Sequence, residues 1–248
     1  MKYKAVILAA GVGSRLRPIT NSVPKCMVQV NGECIIDRQI DSLNMSGVTD
    51  ILVCAGYKMD VLEKHLLEKY PFVKILKLPE YASTNNMYSM FKTADFARGN
   101  DIIVINGDVF IAHNYLDKLI HSKHNNAILI EQKRYEEENM KIICDDNLKI
   151  SSISKNIPDT MSYGTSIDMY KFSKDFTNKW FDVMNYFING KNQLQLWNEV
   201  GINEMFKFFD VFPVNIGKLW FEIDTLEDLE NANKLFEQNN QNKSGINL

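Results

Sequence analysis

Residues 8–18 read LAAGVGSRLRP, small residues followed by alternating arginines. That composition suits a phosphate. Gly11 and Gly13 let the backbone come close to a ligand and present amides to its oxygens. Arg15 and Arg17 can grip phosphate through two parallel hydrogen bonds. Two familiar phosphate motifs do not fit. A dinucleotide fingerprint needs a third glycine where Leu16 stands, and the P-loop pattern is absent. A lone G-x-G reads more readily as a glycine-rich turn with surface arginines, but the whole stretch, with Pro24 and Lys25 behind it, is far more specific. Carboxylates add to the case. Asp108 follows Gly107 at the end of the most apolar run, and Asp224 follows Glu222 at the end of a later one. Carboxylates from separate strand ends can hold Mg²⁺ against phosphate oxygens. Each also has an ordinary role open to it: a Gly-Asp turn for Asp108, and a helix N-cap for Asp224 ahead of Thr225 and Leu226.

These residues need a frame. Residues 3–10 form a nearly continuous apolar run ending at Gly11, as expected of a parallel strand buried on both faces. Residues 35–45 place Ile36, Ile40 and Leu43 at helical spacing, with Gly47 as a stop. Strands are expected at 50–55, 73–78 and 101–106. Helices are expected around Met59, Leu62 and Leu66, and over 86–97. This alternation predicts βαβ units and a mostly parallel sheet, with ligands beyond the carboxyl ends of its strands. The later sequence changes character. Runs 127–132, 140–144, 149–154 and 164–172 read as a mixed sheet, 176–188 and 198–206 as helices, and 209–214 and 219–223 as strands. Residues 226–236 read as a closing helix. The reading is one domain over 1–237 and a polar, frayed tail over 238–248.

The chain of 248 residues is 45% apolar, enough for a single core of ordinary composition. A net charge of −3 advertises neither nucleic acid nor an anionic membrane. No apolar stretch is long enough to span a bilayer, and no leader pattern is visible. Cys26, Cys34, Cys54 and Cys144 form no C-x-x-C pair, so neither a zinc framework nor a redox motif is read. Scattered thiols suit a reducing, cytoplasmic setting. His121 and His124, three apart, are read as a solvated helix face rather than as metal ligands.

Residues 9–20, AAGVGSRLRPIT, with Pro24 and Lys25 behind them, resemble the signature of the sugar-nucleotidyltransferase superfamily. The stretches TNNMYS (84–89), NGD (106–108), Met140-Lys141, ISK (153–155), LWNE (196–199) and WFEIDT (220–225) are similar to its phosphocholine cytidylyltransferase branch. The resemblance spans residues 4–236. It implies an α/β, Rossmann-like mixed sheet, mostly parallel and flanked by helices: the nucleotide-diphospho-sugar transferase fold. It implies Mg²⁺ on Asp108 and Asp224, and phosphate contacts from Arg15 and Lys25. The nucleotide would lie along Leu8, Ala9, Ala10, Gly11, Gly13, Ser14, Ala55, Gly56, Tyr57, Ser83, Thr84, Asn85, Asn86, Asn106 and Gly107. Acceptor contacts would come from Lys141, Lys155, Tyr163, Trp197, Glu199 and Glu222. Asn85 could equally cap the helix that follows.

The chemistry is coherent. A phosphate or phosphonate acceptor is already anionic and needs no general base, so the difficulty is its repulsion from a triphosphate. Positioning and charge neutralisation are the expected tools. The expected partners are CTP and a small phosphorylated acceptor of the phosphocholine, aminoethylphosphonate or phosphoglutamine type, supplying surface polysaccharides. Neither nucleic acid nor membrane is expected, and the oligomeric state is left open, a homodimer included. A hexose-1-phosphate nucleotidyltransferase is the alternative. Ser154-Lys155-Asn156 replaces the Glu-Lys-Pro of many sugar enzymes, which argues against it. Thr165 stands where many cytidylyltransferase relatives carry glutamate. Tyr163, Trp197 and Trp220 could wall a quaternary ammonium or simply pack. A non-catalytic scaffold would not need Arg15, Lys25, Asp108 and Asp224 together.

Overall fold

The computed structural model describes residues 3–132 and 138–244, with side chains described as far as residue 239. The first strand, β1 (Lys4–Ala9), is buried along its length. A loop with short 3-10 turns leads to the small ribbon β2 (Gln29–Val30) and β3 (Glu33–Cys34), then to α1 (Ile35–Met45). Next come β4 (Asp50–Ala55), α2 (Met59–Lys69), β5 (Lys74–Lys77), α3 (Asn86–Phe91) and α4 (Ala94–Ala97). The expected helix over 86–97 is thus two short helices. The Thr93 hydroxyl donates to the carbonyl of Met90, and this back-bonding sits at the break between them.

The chain continues through β6 (Ile102–Asn106), β7 (Val109–Ile111), α5 (Asn114–Ile120) and β8 (Ala127–Glu131). The antiparallel part follows as β9 (Lys141–Cys144), β10 (Ile150–Ser154) and β11 (Gly164–Phe172). It is succeeded by α6 (Lys174–Asn185), α7 (Asn198–Met205), β12 (Phe212–Asn215), β13 (Trp220–Glu222) and α8 (Leu226–Ser244). A π-helical turn over Tyr186–Gly190 follows α6. Helix α8 runs on through the first part of the stretch expected to fray.

Nine strands form one sheet, with β1 at its centre, parallel to both β4 and β6. Connection order reverses at β1, a switch point that opens a crevice beyond the carboxyl ends of β1 and β6. Beside β6, β11 runs antiparallel and carries the second half of the sheet. Apolar side chains from alternate faces feed two cores, one under α1, α2 and α5 and one under α3, α6 and α7. A third, smaller core lies around Leu16, Phe110 and Phe236. All four cysteines are free thiols. His121 ends α5, while His124 lies beyond it with its ring stacked on Phe212. No helix among the described residues is long and apolar enough to cross a membrane.

Candidate active site

The glycine-rich loop leaves the end of β1 at the switch point. Gly13 has φ of +63°, a conformation that favours glycine. A Cβ there would stand 3.0 Å from the Lys25 Cβ, so the bare glycine lets the Lys25 segment close over the loop. The Thr20 hydroxyl donates to the Gly13 carbonyl at 2.8 Å, and the Tyr57 hydroxyl donates to the Thr20 carbonyl at 2.9 Å. Tyr57 therefore braces the loop from behind. Gly56 permits this crossing, since a Cβ there would lie 2.6 Å from the Ala10 oxygen.

The turn after β6 is held just as firmly. Gly107 donates its amide to the Leu8 carbonyl at 2.9 Å, and a Cβ on Gly107 would crowd that oxygen and Ala9. From α1, the Gln39 amide donates to the carbonyls of Asn106 and Val109. The chain then reverses into β7, a strand the sequence patterning missed because only two residues separate it from β6. Strand β13 pairs antiparallel with β7, and Ile223 donates its amide to the Asp108 carbonyl at 2.9 Å. This ribbon brings Glu222 and Asp224 to Asp108 across more than a hundred residues of sequence.

Carboxylate oxygens of Asp108, Glu222 and Asp224 lie within 4.8 Å of one another. The mostly buried Lys25 ammonium donates to Asp108 Oδ2 at 2.8 Å and to Asp224 Oδ1. Arg15 reaches Asp224 Oδ2 at 2.8 Å. Burial alone would raise the Asp224 pKa, but Lys25 and Arg15 outweigh it and hold the carboxyl below its ordinary range. Burial would lower Lys25, and the two aspartates reverse this and raise it. Glu222 is pushed well above the carboxylate range by burial, then by Asp108, Asp168 and Asp224. Helix capping does not occupy Asp224. Thr225 and Asp228 cap α8 reciprocally, the Thr225 amide donating to Asp228 Oδ2 and the Asp228 amide to the Thr225 hydroxyl.

Two clefts flank these carboxylates. The first is lined by Leu8, Ala10, Gly11, Tyr81, Thr84, Asn85, Asn86, Ser89, Asn106 and Asp108. The second is lined by Arg15, Glu138, Asn139, Trp220, Phe221, Glu222 and Asp224, with the start of α8. Of the expected nucleotide residues, Leu8, Ala10, Gly11, Thr84, Asn85, Asn86, Asn106 and Asp108 meet at the first, while Gly13, Gly56, Tyr57 and Gly107 shape the loops around it without lining it. Ala9 and Ala55 do not line it, because both are buried within the sheet; the adjoining Leu8 and Ala10 line the cleft instead. Ser14 and Ser83 are exposed and do not line it, the Ser83 hydroxyl donating to the Glu80 carbonyl. Asn85 does both things expected of it: its side chain caps α3 by accepting from the Asn86 amide, and it lines the cleft.

The expected acceptor residues are less uniform. Lys141 is buried and paired with Asp159 at 2.8 Å. Lys155 lies 3.7 Å from Glu138 and sits over the Trp197 ring, 5.2 Å from its centroid. Tyr163 is half-buried against the second core. Trp220 is only 2% exposed and donates its indole N–H to Glu131 at 2.6 Å. The three rings do not form one aromatic wall. Glu199 is buried at the start of α7.

Sequence reasoning missed Asp168. It lies in β11 beside Asn106, whose amide donates to Asp168 Oδ2 at 3.0 Å. The register of β11 shifts between Ser166 and Tyr170, and Asp168 has φ of +56°. Such a bulge re-aims a side chain. The available signal was an acidic residue in the middle of a run read as a strand, 164–172.

The sequence matches the nucleotidyl transferase family model over residues 4–238. The chain belongs to that family. As a nucleotidyl transferase it is 30% identical to the CTP:phosphoglutamine cytidylyltransferase of Campylobacter jejuni, over 91% of this chain and 97% of that one. It is 40% identical to the choline-phosphate cytidylyltransferase of Streptococcus pneumoniae across 46% of each chain. The solved structure of the CTP:phosphocholine cytidylyltransferase from Streptococcus pneumoniae superposes with a TM-score of 0.79 at 25% identity, covering 95% of this chain and all of that one. The expected superfamily and fold are therefore those observed.

Proposed function

We propose that this nucleotidyl transferase moves CMP from CTP to a small phosphorylated or phosphonylated acceptor, releasing pyrophosphate. One observation carries the reading: the Lys25, Asp108, Glu222 and Asp224 cluster sits between two clefts in a chain similar over nearly its whole length to a cytidylyltransferase. The acceptor is of the phosphocholine, aminoethylphosphonate or phosphoglutamine type, in a cytoplasmic enzyme that serves surface polysaccharide assembly.

A magnesium ion fits the cluster. The donors are hard carboxylate oxygens, and Asp108 Oδ1 is buried without a hydrogen-bond partner. Asp108 and Asp224, with Glu222 beside them, would hold the ion, and its charge would offset repulsion between triphosphate and acceptor. The chain supplies the rest. Gly11 and Gly13 let the backbone approach the triphosphate. Arg15 and Lys25 neutralise charge on the phosphoryl oxygens. Thr84, Asn85 and Asn86 offer groups that can both donate to and accept from a pyrimidine edge. Bond formation from an acceptor oxygen to the α-phosphorus and departure of pyrophosphate then need no proton transfer.

Calorimetric titration with CTP, UTP, ATP, GTP and dTTP in the presence of Mg²⁺ tests this reading. CTP is expected to bind most tightly, and EDTA to abolish turnover. Preferential binding of dTTP or GTP, with turnover only of hexose 1-phosphates, would replace it with the sugar-nucleotide reading.

A further inference from the structure

Behind Asp108 lies a second group of acids that the transfer chemistry does not use. The Tyr170 hydroxyl is 2.9 Å from Asp168 Oδ1 and 2.8 Å from Glu199 Oε1. It has one proton to give, so it cannot donate to both at once. Glu199 is 4% exposed, and its other oxygen, Oε2, is buried with no hydrogen-bond partner. Asp168, 9% exposed, receives the Asn106 amide on Oδ2 and meets the Ser166 hydroxyl at 3.3 Å. Neither carboxylate has an ion pair among the described residues. Lys155 acts on Glu199 only from a distance, its ammonium being engaged over Trp197 and near Glu138. Burial, then Glu199 and Asp108, pushes Asp168 up to about 7. Burial raises Glu199 as well.

The pair is not remote from the site. Asn106 touches Asp168 and also lines the first cleft. Asp168 repels both Asp108, in the wall of the first cleft, and Glu222, in the wall of the second. Asn86 Oδ1 accepts from the Asn198 backbone amide, which ties the wall of the first cleft to the start of α7, the helix that carries Glu199. Two buried carboxylates that share one hydroxyl proton, pair with no cation among the described residues and leave Glu199 Oε2 without a donor are costly unless something supplies charge and N–H groups.

We infer that Asp168 and Glu199, bridged by Tyr170, bind the head group of the acceptor, and that this head group is a primary ammonium. The inference rests on the small-acceptor reading above and narrows it. A primary ammonium brings three donors and a positive charge to a carboxylate pair that has no cation partner among the described residues and one unsatisfied oxygen, Glu199 Oε2. A quaternary ammonium has no N–H to offer. It calls for aromatic faces, and Trp197, Trp220 and Tyr163 do not assemble them.

The test is a series of acceptors assayed with CTP and Mg²⁺ by pyrophosphate release. It runs from phosphoethanolamine through its N-methylated forms to phosphocholine, with ethyl phosphate and glucose 1-phosphate as controls. Phosphoethanolamine should exceed phosphocholine and ethyl phosphate in kcat/KM by about a hundredfold, as a site built around hydrogen bonds rejects analogues lacking them. Glu199→Gln and Asp168→Asn, each checked by circular dichroism and thermal melting, should shrink that ratio about tenfold. Their kcat/KM for phosphoethanolamine should fall much further than that for ethyl phosphate.

Equal or better use of phosphocholine or ethyl phosphate would overturn the head-group assignment alone. So would an unchanged ratio in whichever variants remain folded. Should Glu199→Gln and Asp168→Asn both unfold, the wild-type ratio decides. Turnover of no small acceptor in the series would likewise overturn the head-group assignment alone, whereas turnover of glucose 1-phosphate only would remove the underlying reading and this inference with it.

Discussion

The two sides of the carboxylate cluster are built on opposite principles. On the first-cleft side, the site is mostly backbone and neutral side chains, made by the ends of β1 and β6 and by the segment that leads into α3. Its precision comes from missing side chains, at Gly13, Gly56 and Gly107. On the other side, charge dominates. Arg15, Glu222 and Asp224 line the second cleft, Asp168 of β11 and Glu199 of α7 lie behind the seam, and Asp168, Glu199 and Glu222 are raised in pKa by burial first and by neighbouring carboxylates next. On the proposed assignment, a nucleotide side made of backbone can be shared by many transferases, and an acceptor side made of charge is where members of such a family can diverge.

The largest effects should come from the seam between the sides. Asp108→Ala and Asp224→Ala should each lower kcat by about 10³-fold or more, near 4 kcal/mol on the barrier, while melting curves show a folded protein. A residual rate near wild type in either would detach the metal from the seam. Next come the cations. Lys25→Ala should lose about 10²–10³ in kcat/KM, like the loss of a preorganised donor to developing charge. Arg15→Ala should lose less, because its side chain is half exposed and its interactions are screened. Arg15→Lys should recover only part, since an ammonium lacks the planar fork.

Smaller changes separate the two sides. Gly56→Ala would place a methyl against the Ala10 oxygen, and should destabilise by about 1–3 kcal/mol and raise KM for the nucleotide more than for the acceptor. Stability on the charged side should depend on pH. A raised Asp168 pKa means the folded chain binds an extra proton between the ordinary carboxylate range and about pH 7. The stability due to the neutral acid is therefore complete below that range and lost as pH rises through about 7. Thermal melts of the wild type should fall across this window, and those of Asp168→Asn should fall less. Parallel curves would show that Asp168 is ionised throughout.

This contrast also explains what could be read from the sequence. Strands β1 and β4 and helix α1 were legible because their apolar residues repeat with a clear period. The glycine-rich loop was legible because its chemistry is local. The meeting of Asp108 with Asp224 followed only from strand ends and resemblance, since β7 was too short to show a period. Asp168 left only the faint signal of an acid within a strand, because its placement depends on a bulge in β11 and on Glu199 in a distant helix. Trp220 was ambiguous until the bond to Glu131 fixed its indole inside the core.

The central claim is transfer of a cytidylyl group across this seam. Mass spectrometry of the product formed from CTP and phosphoethanolamine tests it most directly. The account predicts a CDP-linked product with one equivalent of pyrophosphate, absent when EDTA is present. A nucleoside-diphosphate hexose formed from a hexose 1-phosphate, with no product from any small phosphorylated acceptor, would contradict it.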